Sequence, residues 1–435
     1  MATPGPETVR YGGNTSCVQV ETEKGTLLVL DCGTGIRLLG EHLTATCPSP
    51  MRGNIFVTHT HWDHIQGFPF FAPAFVPGNE WVVHGPADGN RSLEQALAGQ
   101  MQYTYFPVDL ENIGASLYWW DLAEQEFQLD DVSVRCQYLH HPAVTLGYRL
   151  QVGGRTVVYC TDHEPFSPVL WPDDAGSHTI ETILHEGDRR HARFLAGADL
   201  VIHDAQYTSD EYEAKRNWGH STVDYVVQIA AASGVRQLAL FHHDPKHDDA
   251  SLDRIQEEAR ALARAVAGSL EVVVAREGDE IVLREASTVV GGHEDLPFAP
   301  APRPTAQILV IAGDPEFRAF VLGALGREDY VLDVAGEGEE ALTKLERRGP
   351  DLVLLDAGLP SMDGFQLLER FRIVQRTGGR QPIVVLMGTA ETRPTRHSFQ
   401  VGADDYIAKP FTPSQLRARV TEWLTRSAAD ATASG

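Results

Sequence analysis

Two rhythms of apolar and polar positions divide the chain. Over the first two thirds, short apolar runs alternate with clusters of Gly, Pro, Asn and Asp, which is the pattern of strands joined by turns. Residues 17–20 and 26–30 flank the turn Glu23-Lys24-Gly25 and predict a hairpin. Ile55-Phe56-Val57, 132–139, 157–160, 198–205 and 237–241 predict further strands. Helices are expected from Ile36 onward and over 92–101, 222–232 and 251–267, with a last hairpin pairing 270–275 with 280–284 across Glu277-Gly278-Asp279. From residue 305 the rhythm becomes regular. Strands at 307–311, 331–334, 351–356, 383–386 and 405–407 alternate with helices at 315–325, 339–347, 364–374, near Arg396 and at 413–424. Such an alternation predicts an α/β fold with a doubly wound, five-stranded parallel sheet.

Between the two regimes the chain is rich in Pro, Gly, Ala and Ser and lacks periodicity, so it reads as a linker. The expected organisation is a first domain over 1–285, a linker over 286–304, a second domain over 305–427 and a flexible tail over 428–435. A length of 435 residues agrees with two cores rather than one. No apolar run is long enough to span a bilayer and no signal-like segment opens the chain, so neither membrane insertion nor secretion is expected. Cys17, Cys32, Cys47, Cys136 and Cys160 are odd in number and without C-x-x-C spacing, which fits buried thiols in a reducing cytoplasm. A formal net charge of −24 argues against a general nucleic-acid surface and favours a small substrate.

The densest chemistry lies in Thr58-His59-Thr60-His61-Trp62-Asp63-His64-Ile65-Gln66-Gly67, directly after the run Ile55-Phe56-Val57. If the strand continues to His61, His59 and His61 share one of its faces, and Asp63 and His64 follow on the turn. Neutral imidazole and carboxylate are the donors that zinc and similar metals prefer, and the cluster offers more than one tetrahedral ion would take from so short a segment. Two divalent ions are the natural reading, with zinc first and manganese or iron as alternatives. Downstream, the proline-punctuated aromatics of 67–75 are expected to pack beneath their loop, with Phe68 as a wall of the substrate entrance.

The H-x-H-x-D-H pattern after an apolar strand resembles the metallo-β-lactamase superfamily, whose fold is an αββα sandwich. His141-Pro142-Ala143-Val144-Thr145-Leu146-Gly147-Tyr148-Arg149 is similar to a segment of its ribonuclease Z-like and cyclic-nucleotide-phosphodiesterase-like members. The resemblance implies a binuclear site with His59, His61 and His141 at one ion, Asp63, His64 and His242 at the other, and Asp162 at both. It selects His141 over its neighbour His140 and His242 over His243, and it treats His203 and Asp204 as structural polar groups. Gly219-His220-Ser221-Thr222 resembles a segment of phosphodiester-cleaving members, which makes His220 a proton or hydrogen-bond donor to the reacting phosphate, working with Asp63 and Asp162. The glycines at 33 and 35 are expected to serve a structural turn bordering the site; those members carry one more strand before a segment like residues 3–8, so either the true start lies upstream of Met1 or an edge strand is lacking. The implied enzyme is a metal-dependent hydrolase, a phosphodiesterase acting on a small phosphodiester or cyclic nucleotide through a hydroxide held between the ions. A lactonase or thioesterase on the same scaffold and a non-catalytic metal-containing signalling module are its rivals.

Leu354-Leu355-Asp356, Leu359-Pro360-Ser361-Met362-Asp363-Gly364 and the stretch from Gly402 to Phe411 resemble a response-regulator receiver domain. Asp356 takes the phosphoacceptor position and Lys409 that of the phosphate-pairing lysine. The family's acidic pair is replaced by Ala312 and Gly313, with Asp314 one step on, and Met387 stands where a Thr or Ser would read the phosphate, with Thr389 as a shifted substitute. The domain is therefore expected to act as a docking or self-association surface for a protein partner rather than as an ordinary phosphorylation switch.

Overall fold

The computed structural model describes residues 1–86, 91–167, 169–172, 178–283, 306–325, 330–348, 350–359, 364, 366–368, 370, 382–388, 403–409, 411, 413, 416, 419–420 and 423–424. The chain divides into two compact units, Met1–Leu296 and Pro297–Gly435. The linker expected over 286–304, the tail and the helix near Arg396 lie outside the described residues, as do Thr389 and most of the helix expected over 364–374.

The first unit is built on two sheets. One contains β1 (Val18–Glu21), β2 (Leu27–Leu30), β3 (Arg52–Phe56), β4 (Glu80–Pro86) and β5 (Ser116–Leu122) in that order, antiparallel at β1–β2 and parallel thereafter. The other contains β6 (Glu126–Leu129), β7 (Val132–Tyr138), β8 (Leu146–Val152), β9 (Arg155–Cys160), β10 (Leu200–Asp204), β11 (Gln237–Phe241) and β12 (Glu271–Val274), likewise in sequence order. It is antiparallel from β6 to β9 and parallel from β9 to β12. Where a strand is apolar at successive positions, as in β2 and at Ile55-Phe56, its two faces enter two different cores. Leu28, Leu30 and Phe56 of the first sheet join Tyr148, Val157, Tyr159, Leu200 and Ile202 of the second in the central core. Their sequence neighbours Leu27, Val29, Ile55 and Val57 face outward to the helices Gly35–Thr46 and Leu93–Gln100. Val158, Cys160 and Val201 face the helices Glu186–Leu195, Val223–Ala232 and Asp249–Val266. The layers are thus helix, sheet, sheet, helix.

Three expectations need correction. β3 ends at Phe56, so the ligand-rich stretch is not a continued strand face: His59 and His61 lie in a loop, and Asp63 and His64 in the short helix Trp62–Ile65. Val57 N–H still donates to His84, but Thr58 N–H turns to the Asp31 carboxylate, which takes the chain off the sheet. The closing hairpin is also absent among the described residues: β12 runs parallel to β11, and residues 277–283 carry no strand. There Glu277 is bound instead to the N-terminal segment, its N–H donating to Tyr11 and its carboxylate accepting from Asn14. Phe68, the expected entrance wall, is fully buried in the outer core of the first sheet, while Phe70 is exposed.

The second unit has β13 (Gln307–Ile311), β14 (Val331–Ala335), β15 (Leu352–Asp356), β16 (Ile383–Gly388) and β17 (Asp405–Ala408), all parallel in the order β14-β13-β15-β16-β17. Each face carries its own apolar core, which is the doubly wound sheet expected from the alternation. Among the described residues, no helix is long and apolar enough to cross a membrane.

Candidate metal centre

The ends of β2, β3, β7, β9, β10 and β11 supply the polar cluster, because parallel strands deliver their C-terminal ends to one edge. Three of these ends turn in a conformation that non-glycine residues avoid: φ is +62° at Asp31, +57° at Asp162 and +57° at His242. Held this way, each side chain doubles back into the site.

Asp162 is the centre of the cluster. Its Oδ2 lies 3.5 Å from His59 Nε2 and 3.6 Å from His141 Nε2, whereas its Oδ1 lies 3.3 Å from His64 Nε2 and 3.4 Å from His242 Nε2. Asp63 Oδ2 closes the second set, 3.4 Å from His242 Nε2 and 3.8 Å from His64 Nε2. His61 joins the first set, its Nδ1 3.2 Å from His141 Nε2. The donor atoms therefore converge as His59, His61, His141 and Asp162 on one side and as Asp63, His64 and His242 on the other. His220 also stands within reach of Asp162 and His242.

The donor chemistry suits cations. His141 Nδ1 faces the carbonyl of Gly219 at 2.9 Å, and since a carbonyl can only accept, the proton sits on Nδ1 and the Nε2 lone pair points inward. Asp31 does the same for His64, accepting from its Nδ1 at 2.8 Å. His59 Nε2 and His64 Nε2 are buried and lack a hydrogen-bond partner, an arrangement that costs stability unless something positive is bound there. Burial pushes His59 down and His141 down to about 3, which keeps both imidazoles in the neutral form that can ligate a cation. At His64 burial is outweighed by the Asp162 and Asp31 carboxylates, which raise its pKa well above the usual range; an ion bound at its Nε2 would take the place of that proton against the same two carboxylates. The residues present thus fit a pair of divalent ions.

Around this centre lies a layer that sequence reasoning missed. Asp31, fully buried, accepts from Thr58 N and Oγ1, His64 Nδ1 and Tyr159 Oη. Asp204, expected to be merely structural, accepts from His220 Nδ1 at 2.9 Å. Burial lowers the His220 pKa, but Asp204 and then Asp162 raise it more, to about 9. Glu164 accepts from Tyr212 Oη and from the N–H groups of Asn217 and Gly219, which fixes the loop that carries His220. The available signal was position: Asp31 and Asp204 each end an apolar run, as Asp162 does. His140 is buried against Phe166 and turned away from the centre, and His203 bonds His191 at 2.8 Å.

In the second unit Lys409 Nζ lies 2.8 Å from Asp356 Oδ2 and 3.5 Å from the centroid of the Phe317 ring. Asp314 is exposed and accepts from Glu316 N–H at 2.9 Å, so its carboxylate caps the helix Pro315–Leu325. Met387 is buried opposite Asp356 in the sheet register.

Comparison with known proteins agrees with this division. The profile of the Beta-lactamase superfamily domain matches residues 26–243, and that of the Response regulator receiver domain matches residues 308–421. The chain is similar to ribonuclease Z of Haloarcula marismortui, 26% identical over 299 aligned residues, covering 61% of this chain and 90% of the relative. It is similar to the DNA-binding response regulator MtrA of Mycolicibacterium smegmatis, 38% identical over 121 residues, covering 28% of this chain and 51% of the relative. The match thus spans about half the length of that regulator. Among solved structures, the metallo-beta-lactamase fold protein YhfI of Bacillus subtilis is 17% identical with a TM-score of 0.41, covering 63% of this chain and 95% of that one.

Proposed function

The chain belongs to the beta-lactamase superfamily and carries a response-regulator receiver domain behind its hydrolase domain, and from that premise we propose that it is a binuclear phosphodiesterase. His59, His61 and His141 would hold one divalent ion, Asp63, His64 and His242 the other, and Asp162 both, with zinc the first choice. The observation that carries this reading is the division of Asp162: one oxygen faces His59 and His141, the other His64 and His242. Ions bound there supply an activated water at neutral pH and positive charge for the phosphoryl oxygens.

The remaining work falls to the chain's own groups. His220 donates from Nδ1 to Asp204, which leaves Nε2–H as the proton it can give to a leaving oxygen. The Asp204 carboxylate keeps that imidazole charged near neutrality, suited to an alkoxide leaving group and to the charge developing on phosphate. Asp31 and the Gly219 carbonyl hold two imidazoles with their lone pairs inward, and Thr161 Oγ1 donates to Asp162 Oδ1 at 2.7 Å. A relative named for ribonuclease action supports a phosphodiester over a lactone. The test is metal analysis of the purified full chain, then a rate panel of bis(p-nitrophenyl) phosphate and cyclic nucleotides against lactones and thioesters. Turnover confined to the lactone or thioester arm would overturn the reading.

For the receiver domain we infer a docking or self-association role that does not require phosphorylation. Its lysine already pairs with Asp356, and Asp314 is committed to a helix cap.

A further inference from the structure

Of the strands that end the two sheets of the first unit, β5 is unlike the rest. β1, β6 and β12 are each 4 residues long and carry Glu21, Glu126 and Glu271, the short and charged form in which an open sheet edge is tolerated. β5 has 7 residues, all in register with β4, and among the described residues no other strand pairs with it. It contains no proline or lysine, and its one charged side chain, Asp121, accepts from Leu93 N–H at 3.3 Å. Ser116 N–H donates to Asn79 on the side of β4, so the even residues turn their backbone groups to β4 and Leu117, Trp119 and Asp121 turn theirs outward. The side chains alternate as well. Leu117 and Trp119 pack on the outer core, while Tyr118 and Trp120 stand on the opposite face, 54% and 45% exposed. Trp120 lies against Phe127 and His84, with ring centroids 5.1 and 5.5 Å apart.

We propose that β5 is the interface of a homodimer, pairing antiparallel with β5 of a second copy about a twofold axis at Trp119. Centred there, the strand is complementary to itself. Trp119 faces the partner's Trp119 and Leu117 the partner's Asp121; these are the residues whose backbone groups point outward, so each exchanges both hydrogen bonds with its counterpart. On the other face Tyr118 falls opposite the partner's Trp120, and Trp120 opposite the partner's Tyr118, which makes two aromatic cross-strand pairs. The two Asp121 carboxylates lie at opposite ends of the ladder, so no like charges meet. Moving the axis to a neighbouring residue shortens the ladder and separates these pairs. A second copy is the fitting occupant because a twofold consumes the open edge in both chains at once and closes the assembly. A ladder of 7 residues with half-exposed aromatics lies at the small end of specific interfaces, so a dissociation constant of roughly 1–10 μM is expected. The proposal depends neither on the metal centre nor on the receiver domain.

Sedimentation velocity of the full chain from about 1 to 100 μM tests it. The wild type is expected to pass from monomer to dimer over that range. Tyr118→Lys/Trp120→Lys sets like charges across the ladder and should stay monomeric with an unchanged circular dichroism spectrum, while Tyr118→Phe/Trp120→Phe should keep the dimer. Register is read by oxidative crosslinking. Tyr118→Cys mixed with Trp120→Cys should give a disulfide-linked dimer joining the two positions, because residues directly opposite each other come within bridging distance, and neither variant alone should do so. A wild type that stays monomeric throughout would mean that the edge is covered in another way, and a dimer that survives the double Lys substitution would place self-association on another surface, the receiver domain included. Either result, or crosslinking with no preference for the mixed pair, would overturn the proposal.

Discussion

At the scale of single residues, Asp162 matters because its two oxygens serve different histidines. Asp162→Ala should abolish turnover and lower the metal content, since the ions would face each other without a shared negative charge. Elemental analysis beside the rate assay checks both, and full activity in that variant would remove the binuclear reading. His220 plays a different part. His220→Ala is expected to retain both ions and to slow phosphodiester cleavage by about two to four orders of magnitude. Loss of metal instead would make His220 a ligand, which its reach to Asp162 and His242 allows. The pH profile separates acid from ligand. A histidine raised to about 9 is protonated below that pH and loses its proton above it, so activity should fall on the alkaline side. Asp204→Asn removes the nearest charge holding that proton and should move the alkaline limb to lower pH.

At the scale of elements, β1–β3, β7 and β9–β12 were legible from apolar runs bounded by turn residues, and candidate ligands placed just past such runs could be read with them, whereas β4, β5, β6 and β8 were not read. His59, His61, Asp63 and His64 follow β3, Asp162 follows β9 and His242 follows β11. What could not be read was direction. The hairpin expected after residue 270 rested on two apolar runs around a Gly turn, yet β12 pairs parallel with β11, and Glu277, in the expected turn, accepts instead from Asn14 at the other end of the unit. Asp204 was underestimated for the same cause: only a tertiary contact distinguishes a carboxylate that ends a strand from one that orients a histidine. The loop at 216–221 repeats the lesson. Gly219 has φ of +89°, and a Cβ there would fall on the ring of His141. Gly219→Ala should displace that imidazole and lower metal content with little change in secondary structure, measurable by elemental analysis beside circular dichroism.

At the scale of the whole molecule, a hydrolase domain is joined to a receiver domain that keeps Asp356 and Lys409 but has Ala312, Gly313 and Met387 at other switch positions. Incubating the full chain with Mg²⁺ and a small phosphodonor should leave no base-labile phosphate, because Ala312 and Gly313 offer no carboxylate and Asp314 is engaged at a helix end. Stoichiometric phosphate that disappears in Asp356→Asn would reverse this. Metal removal should be felt more strongly. With ligand at a thousandfold its dissociation constant the gain is about 4 kcal/mol, so a chelator should lower the melting temperature by roughly 10 °C. The left-handed backbone at Asp31, Asp162 and His242 would sharpen the effect, since each costs about 1 kcal/mol and all three lie at or beside the candidate donors. A fold that stores strain beside a cation site would hand cellular quality control a gauge: metal-starved copies would open more often and be degraded sooner. Abundance would then follow metal supply with no sensor or transcriptional response, and a pulse-chase half-life that shortens under chelation is the expected sign.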